Sequence, residues 1–245
     1  MFRRFMTLVR AIIIAYLGVS MIRYALVHNS YLFSPRHIRS LGEKYAGQPL
    51  ADSVMGIHQD LNLEYRKHLI KPWSKGLLDH FEKQTYSRSR GLATGFWLPF
   101  NGGGLVGRIH FIHISMFEYL AIIGSPVKTA GTSGWLWMNQ TCAVLSGSVE
   151  RSDGFQRETF EPGKHVRLGQ FQSSIVELNE DTWLFCYGRG FTPTAIPYMM
   201  LHMVGNADFL SIIQLTSISM QAVGSEWYNS AKMLSGQVMD KFKWK

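Results

Sequence analysis

Few side chains of this 245-residue chain stand where chemistry would need them. Cys142 and Cys186 fall in segments of strand-like composition, and three readings are open. They are small apolar fillers of a buried wall, the usual state of a buried cysteine. One is an acid or base in a proton shuttle, although a buried thiol is a poor acid. Or they pair, which needs an oxidising compartment and Cα atoms within about 7 Å. Two cysteines cannot build a disulfide scaffold, so the fold rests on its core. Glu118 sits in Ile114–Ile123 (ISMFEYLAII), an apolar setting in which a carboxylate needs bonding partners. It reads as structural, or as a proton donor beside Tyr119. His110 and His113 with Glu118 supply histidine and carboxylate, but as His-x-x-His in a stretch read as helix they lack a metal site's ligand number and geometry. No metal or other cofactor is expected. The Gly102–Gly104 run lacks the lysine and hydroxyl of a phosphate loop and reads as a turn. No GxSxG elbow is present. Asn139-Gln140-Thr141 is a glycosylation sequon inside a predicted strand, where a glycan finds no room.

The elements that must hold these groups belong to an apolar chain. With 46% hydrophobic and 17% charged residues, it leans away from an ordinary soluble domain, towards a membrane or a large apolar cavity. The net charge is +8, but the basic residues form no single basic–aromatic stretch; clusters sit at the two ends (Arg3, Arg4, Arg10; Lys241, Lys243, Lys245) without any nucleic-acid motif. That placement fits an anionic membrane surface and no nucleic acid. Ala11–Ile22 is uncharged, and extension from Phe5 to Val27 reaches membrane-spanning length. No small-residue cleavage site follows, so the segment reads as an uncleaved anchor. Its basic flank leaves the N-terminus in the cytosol and the body in the lumen.

Further along, Ser34-Pro35 opens a predicted helix with a capping serine. A second helix is predicted over Ala51–Leu63 and a third over Ser74–Gln84, then a polar linker, Lys83–Arg90. Leu105–Ile123 is long and apolar and reads as a buried helix. Strand-like segments follow at Trp135–Leu145, Gln156–Phe160, His165–Leu168, Ser173–Leu178 and Thr182–Tyr187, punctuated by turn residues. Helical pattern returns over Thr194–Met203 and Ala207–Ser230, the latter apolar around most of its circumference. The division is a membrane anchor (1–28), a helical segment and linker (29–100), a ligand-binding barrel opened by a helix (101–192), membrane-associated helices (193–235) and a basic tail (236–245).

Several strings then become diagnostic in their order and spacing: Tyr45-Ala46-Gly47, Asn101–Gly107 (NGGGLVG), His113–Tyr119 (HISMFEY), Ser146-Gly147, Glu161-Pro162-Gly163, Asp181-Thr182-Trp183, and Tyr187–Gly190 (YGRG) with Pro193. Over residues 30–235 the chain resembles the fungal C-8 sterol isomerase and sigma receptor family. The resemblance implies an α+β membrane protein: one N-terminal transmembrane helix, a cupin-like β-barrel with flanking helices, and two C-terminal membrane-facing helices. It also implies an endoplasmic reticulum location and a homotrimer.

The same resemblance locates a site. The family's buried carboxylate, which moves protons on a sterol or holds a ligand's ammonium, falls on Cys186. A second acidic position falls on Cys142 and a nearby one on Asn139. High affinity for cationic amphiphiles is therefore not inherited. Tyr119 matches a pocket tyrosine that bonds the missing carboxylate, which leaves its hydroxyl for the substrate, whereas the family uses Glu118 structurally. The expected catalytic candidates are Tyr119, Cys186, Cys142 and Glu118. The expected binding wall is Leu105, Ile109, Phe111, Ala121, Ile123, Leu178, Ala195, Ile196 and Met199. Such a wall suits a terpenoid or sterol-like molecule, isomerised or cyclised without a cofactor in a dry pocket. The rival is a non-catalytic, receptor-like protein that binds lipids or small molecules.

Overall fold

The computed structural model describes residues 2–70 and 97–224. The chain forms two compact units, Met1–Phe33 and Ser34–Lys245. In the first, α1 (Phe2–His28) is one continuous helix whose Leu8, Ile12, Ile13, Ile14 and Leu17 are all exposed. Its stretch Arg3–His28 has 26 residues, about 39 Å at 1.5 Å per residue, and is long and apolar enough to cross a membrane.

The second unit begins with α2 (Pro35–Lys44). Proline stands in the first turn as predicted, while the Ser34 side chain makes no capping bond. Ile38, Leu41 and Gly42 are its buried face, and Gly42 lies against Ala143, so a side chain there would hold the helix off the sheet. In α3 (Leu50–Tyr65), Ser53, Val54, Ile57 and Leu61 recur at helical spacing and are buried. The Tyr45-Ala46-Gly47 string joins these two helices. The Tyr45 hydroxyl donates to Asp60 at 2.9 Å, and the Gly47 N–H donates to the Leu145 carbonyl at 2.7 Å. The predicted third helix and polar linker lie outside the described residues.

Among the described residues ten strands follow: β1 (Leu98–Gly102), β2 (Leu105–Ile114), β3 (Glu118–Ser125), β4 (Thr129–Thr132), β5 (Met138–Ser146), β6 (Val149–Asp153), β7 (Gln156–Phe160), β8 (His165–Leu168), β9 (Ile175–Leu178) and β10 (Thr182–Gly190). They form two antiparallel sheets, β1-β2-β3-β10-β5-β8 and β4-β9-β6-β7, the cupin-like body that the resemblance implied. The Gly102–Gly104 turn is a two-residue hairpin between β1 and β2. Gly103 and Gly104 both have positive φ, as the tight hairpin turn requires.

The buried helix expected over Leu105–Ile123 is instead the β2–β3 hairpin, with Ser115-Met116-Phe117 at its turn. One face of this hairpin lines a cavity, and residues on its other face, such as Ile112, Leu120 and Ile122, are also buried. A strand buried on both sides shows a continuous apolar run without period-2 alternation, so length alone pointed to a helix. A β-bulge between Phe111 and His113 also breaks the alternation. Phe111 and Ile114 both face the cavity although three positions apart.

After β10, a turn of 3-10 helix (Thr192–Thr194) leads into α4 (Ala195–Gly205) and then the apolar α5 (Phe209–Gly224). Both helices are two-faced. Met199, Met203, Leu215, Ile218 and Ala222 are buried, while Leu201, Val204, Phe209, Leu210, Ile213 and Met220 are exposed.

Candidate functional site

The inner faces of the two sheets and of the last two helices enclose a cavity of about 200 Å³, measured as the space open to the centre of a water-sized sphere. An apolar cavity of about 150 Å³ already holds a benzene ring without water. Its floor is the six-stranded sheet, whose register sets three cross-strand rows. Ile109, Ile123, Leu184 and Val144 form one; Phe111, Ala121, Cys186, Cys142 and Val166 the next; Ile114, Tyr119, Gly188, Gln140 and Leu168 the third. Val176 and Leu178 face them from β9, and Ala195, Ile196, Met199, Leu215, Ser219 and Val223 close the top. No described residue of the wall carries a charge.

The wall expected from the sequence is assembled here with one exception. Ala121 is fully buried on the same row as Phe111 and Cys186 but does not line the cavity. Cys142 and Cys186, directly opposed on β5 and β10, form a disulfide with Cα atoms 4.0 Å apart. Neither sulfur carries a proton, which removes both from the acid–base candidates. The bond lies in the cavity floor, at the positions where the resemblance placed carboxylates.

Tyr119 lies in the cavity. Burial disfavours its charged form and pushes the phenol above its ordinary value, with a smaller push from Tyr198. Its ring covers Gly188, occupying the place where a side chain at 188 would stand. Glycine in the YGRG string therefore makes room for an aromatic ring from the neighbouring strand. Glu118, one residue earlier, points to the opposite face of the sheet. It is buried and accepts a 2.9 Å hydrogen bond from Tyr187, the tyrosine of YGRG. It takes no part in the cavity wall, so its candidacy as a proton donor to a bound molecule ends on geometry. Asn139 also alternates away from the cavity, exposed, with its Oδ1 accepting from the Gln170 N–H at 3.0 Å.

His110 and His113 are paired in register with Ile122 and Leu120, on the face away from the cavity. His110 Nε2 lies 2.8 Å from His58 Nε2 of α3, and His113 Nδ1 lies 2.7 Å from the His68 carbonyl. They join the sheet to its covering helical layer.

Several contributors were missed from the sequence, among them a polar residue of the floor, an aromatic of α4 and a stripe of α5. Gln140 lines the cavity, and its position two residues before Cys142 on a predicted strand was the available signal. Tyr198 lines it from α4; its hydroxyl donates to the Thr132 carbonyl at 2.5 Å, and burial pushes its phenol up to about 12. Leu215, Ser219 and Val223 form an i, i+4, i+8 stripe on α5, which the all-round apolarity of that helix concealed.

Comparison with known proteins gives consistent relatives. The family model described as "ERG2 and Sigma1 receptor like protein" matches residues 7–230. "Sigma non-opioid intracellular receptor 1" of Danio rerio is 26% identical over 199 residues, which covers 80% of this chain and 81% of that protein. "Protein erg2 homolog" of Dictyostelium discoideum is 32% identical over 164 residues, 66% of this chain and 61% of that protein. Among solved structures, KdgF from Halomonas sp. is similar at 10% identity and a TM-score of 0.33, covering 39% of this chain and 87% of that one.

Proposed function

Because the chain belongs to the ERG2 and Sigma1 receptor like family, we propose that it encloses an uncharged sterol- or terpenoid-like molecule in a dry cavity at the endoplasmic reticulum membrane. The observation that carries this reading is the cavity wall itself: predominantly apolar, with a few neutral polar groups and no charge among its described residues. Burial of such a molecule gains about 25 cal/mol per Å² of apolar surface. An ammonium in the same place would lose its hydration without meeting a carboxylate, a cost of several kcal/mol.

A second reading, isomerisation or cyclisation of that molecule, is favoured by one observation. The Tyr119 hydroxyl faces the cavity with no hydrogen-bond partner among the described residues. A phenol that starts near 10 and is raised by burial is a weaker acid than a glutamic acid near 4.3 by more than about five powers of ten. It does not protonate an isolated ring double bond. Its substrate is instead a molecule with a carbonyl or epoxide oxygen, which accepts the phenol's hydrogen bond and develops charge there. Apolar residues then determine the product by shape, and no cofactor takes part.

The location has separate support. The apolar helix with Arg3, Arg4 and Arg10 near its start supports a single pass with a cytosolic N-terminus. The Cys142–Cys186 bond supports a body in the oxidising lumen. Exposed apolar faces on α4 and α5 support contact with membrane lipids, while a homotrimer rests on the resemblance alone.

The test is expression in a yeast that lacks its sterol Δ8–Δ7 isomerase. The purified protein is expected to carry a neutral terpenoid or sterol, detected by mass spectrometry, without restoring Δ7 sterols. Restored Δ7 sterols would show that the cavity protonates a ring alkene without a carboxylate and would overturn the limit set on Tyr119, whereas a purified protein carrying no neutral terpenoid or sterol would overturn the enclosure reading.

A further inference from the structure

The third row of the cavity floor has an arrangement that goes beyond apolar enclosure. Gly188 lies between Tyr119 and Gln140 in register, with Tyr119 on one neighbouring strand and Gln140 on the other. Two strand spacings, about 10 Å, separate those two backbones. The missing side chain at 188 lets the tyrosine ring lie across β10, with its Cε1 edge over the glycine. The ring thus reaches from β3 over β10, and the Gln140 side chain of β5, on the far side of Gly188, lines the same cavity. Among the described residues neither the Tyr119 hydroxyl nor the Gln140 carboxamide has a hydrogen-bond partner. Tyr198, the other phenol in the wall, is already committed to the Thr132 carbonyl.

A phenol and a primary amide together supply donors and acceptors without charge. An oxygen between them can accept from either group, and a hydroxyl can donate back to the amide carbonyl. A hydrocarbon satisfies neither, and an ammonium satisfies only the acceptors while its charge stays uncompensated.

We propose that Tyr119 and Gln140, facing each other across Gly188, form a neutral seat for a single oxygen, and that the ligand is an uncharged terpenoid or sterol-like molecule held by one hydroxyl, carbonyl or epoxide group. The proposal rests on the apolar-ligand reading above and adds the group by which the ligand is oriented. Gln140 becomes a specificity-determining residue. The rest of the floor has no competing polar group, because its other two rows are aliphatic, aromatic or disulfide-bonded.

Farnesol, farnesylamine and farnesene share a hydrocarbon skeleton and differ at this one group. Their binding to the full-length protein in lipid nanodiscs is measured by equilibrium dialysis, with empty nanodiscs subtracted. The wild type is expected to hold farnesol at least tenfold tighter than the other two. Gln140→Leu and Tyr119→Phe each lower farnesol affinity about tenfold and leave farnesene unchanged. Gln140→Glu is isosteric and supplies a carboxylate, so it reverses the order in favour of farnesylamine. Retention of the Cys142–Cys186 bond and of the thermal midpoint checks that each variant is folded. If farnesene binds as tightly as farnesol, the oxygen seat is wrong and the apolar cavity stands. If wild-type protein binds none of the three, both fail. If Gln140→Leu leaves farnesol affinity intact, Gln140 has no part in the seat and the proposal is overturned.

Discussion

Gly188 carries the ring of Tyr119 where its own side chain would project. Its φ is not in the left-handed region, so alanine there meets no backbone penalty and the cost is contact alone. Gly188→Ala is expected to lower stability by about 1–3 kcal/mol, the usual range for overpacking, and to weaken ligand binding as the tyrosine swings away. Gly205→Ala, at a position with open space around it, is the control and should leave both unchanged. Thermal unfolding and ligand retention measure the pair. A Gly188→Ala protein indistinguishable from wild type would mean that the ring has a second resting place. At this scale the sequence was informative where family strings constrained it, and uninformative where side chains are new. Cys186 could be placed because YGRG follows immediately. Gln140 carried no such marker, and whether the two thiols pair depends on a strand register that no local pattern encodes.

The strings that identify the family act mostly as joints between elements. Ser146 donates to the Asp181 carbonyl, and Thr182 donates to the Ser148 carbonyl while receiving the Ser148 N–H, which locks the β5–β6 turn to the start of β10. Gly163 of the Glu161-Pro162-Gly163 turn donates its N–H to the Val144 carbonyl. These joints need particular residues whatever the cavity holds, which is why the fold was legible. The β2–β3 hairpin was not legible, because burial on both faces and a bulge erased the period that distinguishes strand from helix. Centrally in the same sheet, the disulfide ties β5 to β10 across 44 residues. By chain entropy a loop of that size is worth about 4 kcal/mol. Cys142→Ala together with Cys186→Ala should therefore lower the unfolding midpoint by roughly 8–16 °C at about 2–4 °C per kcal/mol. A reductant should reproduce the loss in the wild type only. An unchanged midpoint in the double variant would show that the ladder alone holds these strands.

For the molecule as a whole, the helical layer against the sheet's outer face makes stability depend on acid. His58 of α3 faces His110 of β2 at 2.8 Å, an arrangement in which one ring nitrogen donates and the other accepts, so the two rings cannot both be protonated. Burial lowers the affinity of His58 for a proton below its ordinary 6.5, and burial shifts His165 in the same direction. The unfolded chain then binds more protons than the folded one below about pH 6.5. Stability is full above that value and falls as the pH drops towards the folded-state pKa. The unfolding midpoint should be flat from pH 8 to 7 and decline below 6.5, with a shallower decline in His58→Gln. An identical decline in that variant would assign the acid sensitivity elsewhere. A different consequence follows from the pairing of positions 142 and 186, which binds the molecule's past to its future. Once the sulfurs are joined, neither site can change alone: a carboxylate introduced at 186 strands a reactive thiol at 142, and the reverse change does the same at 186. Any path to carboxylates at both positions must cross that disfavoured single-step neighbour. Two positions on separate strands have thus become one heritable character, and new ligand preferences are reached more readily through neighbours such as Gln140, which are free to vary one at a time.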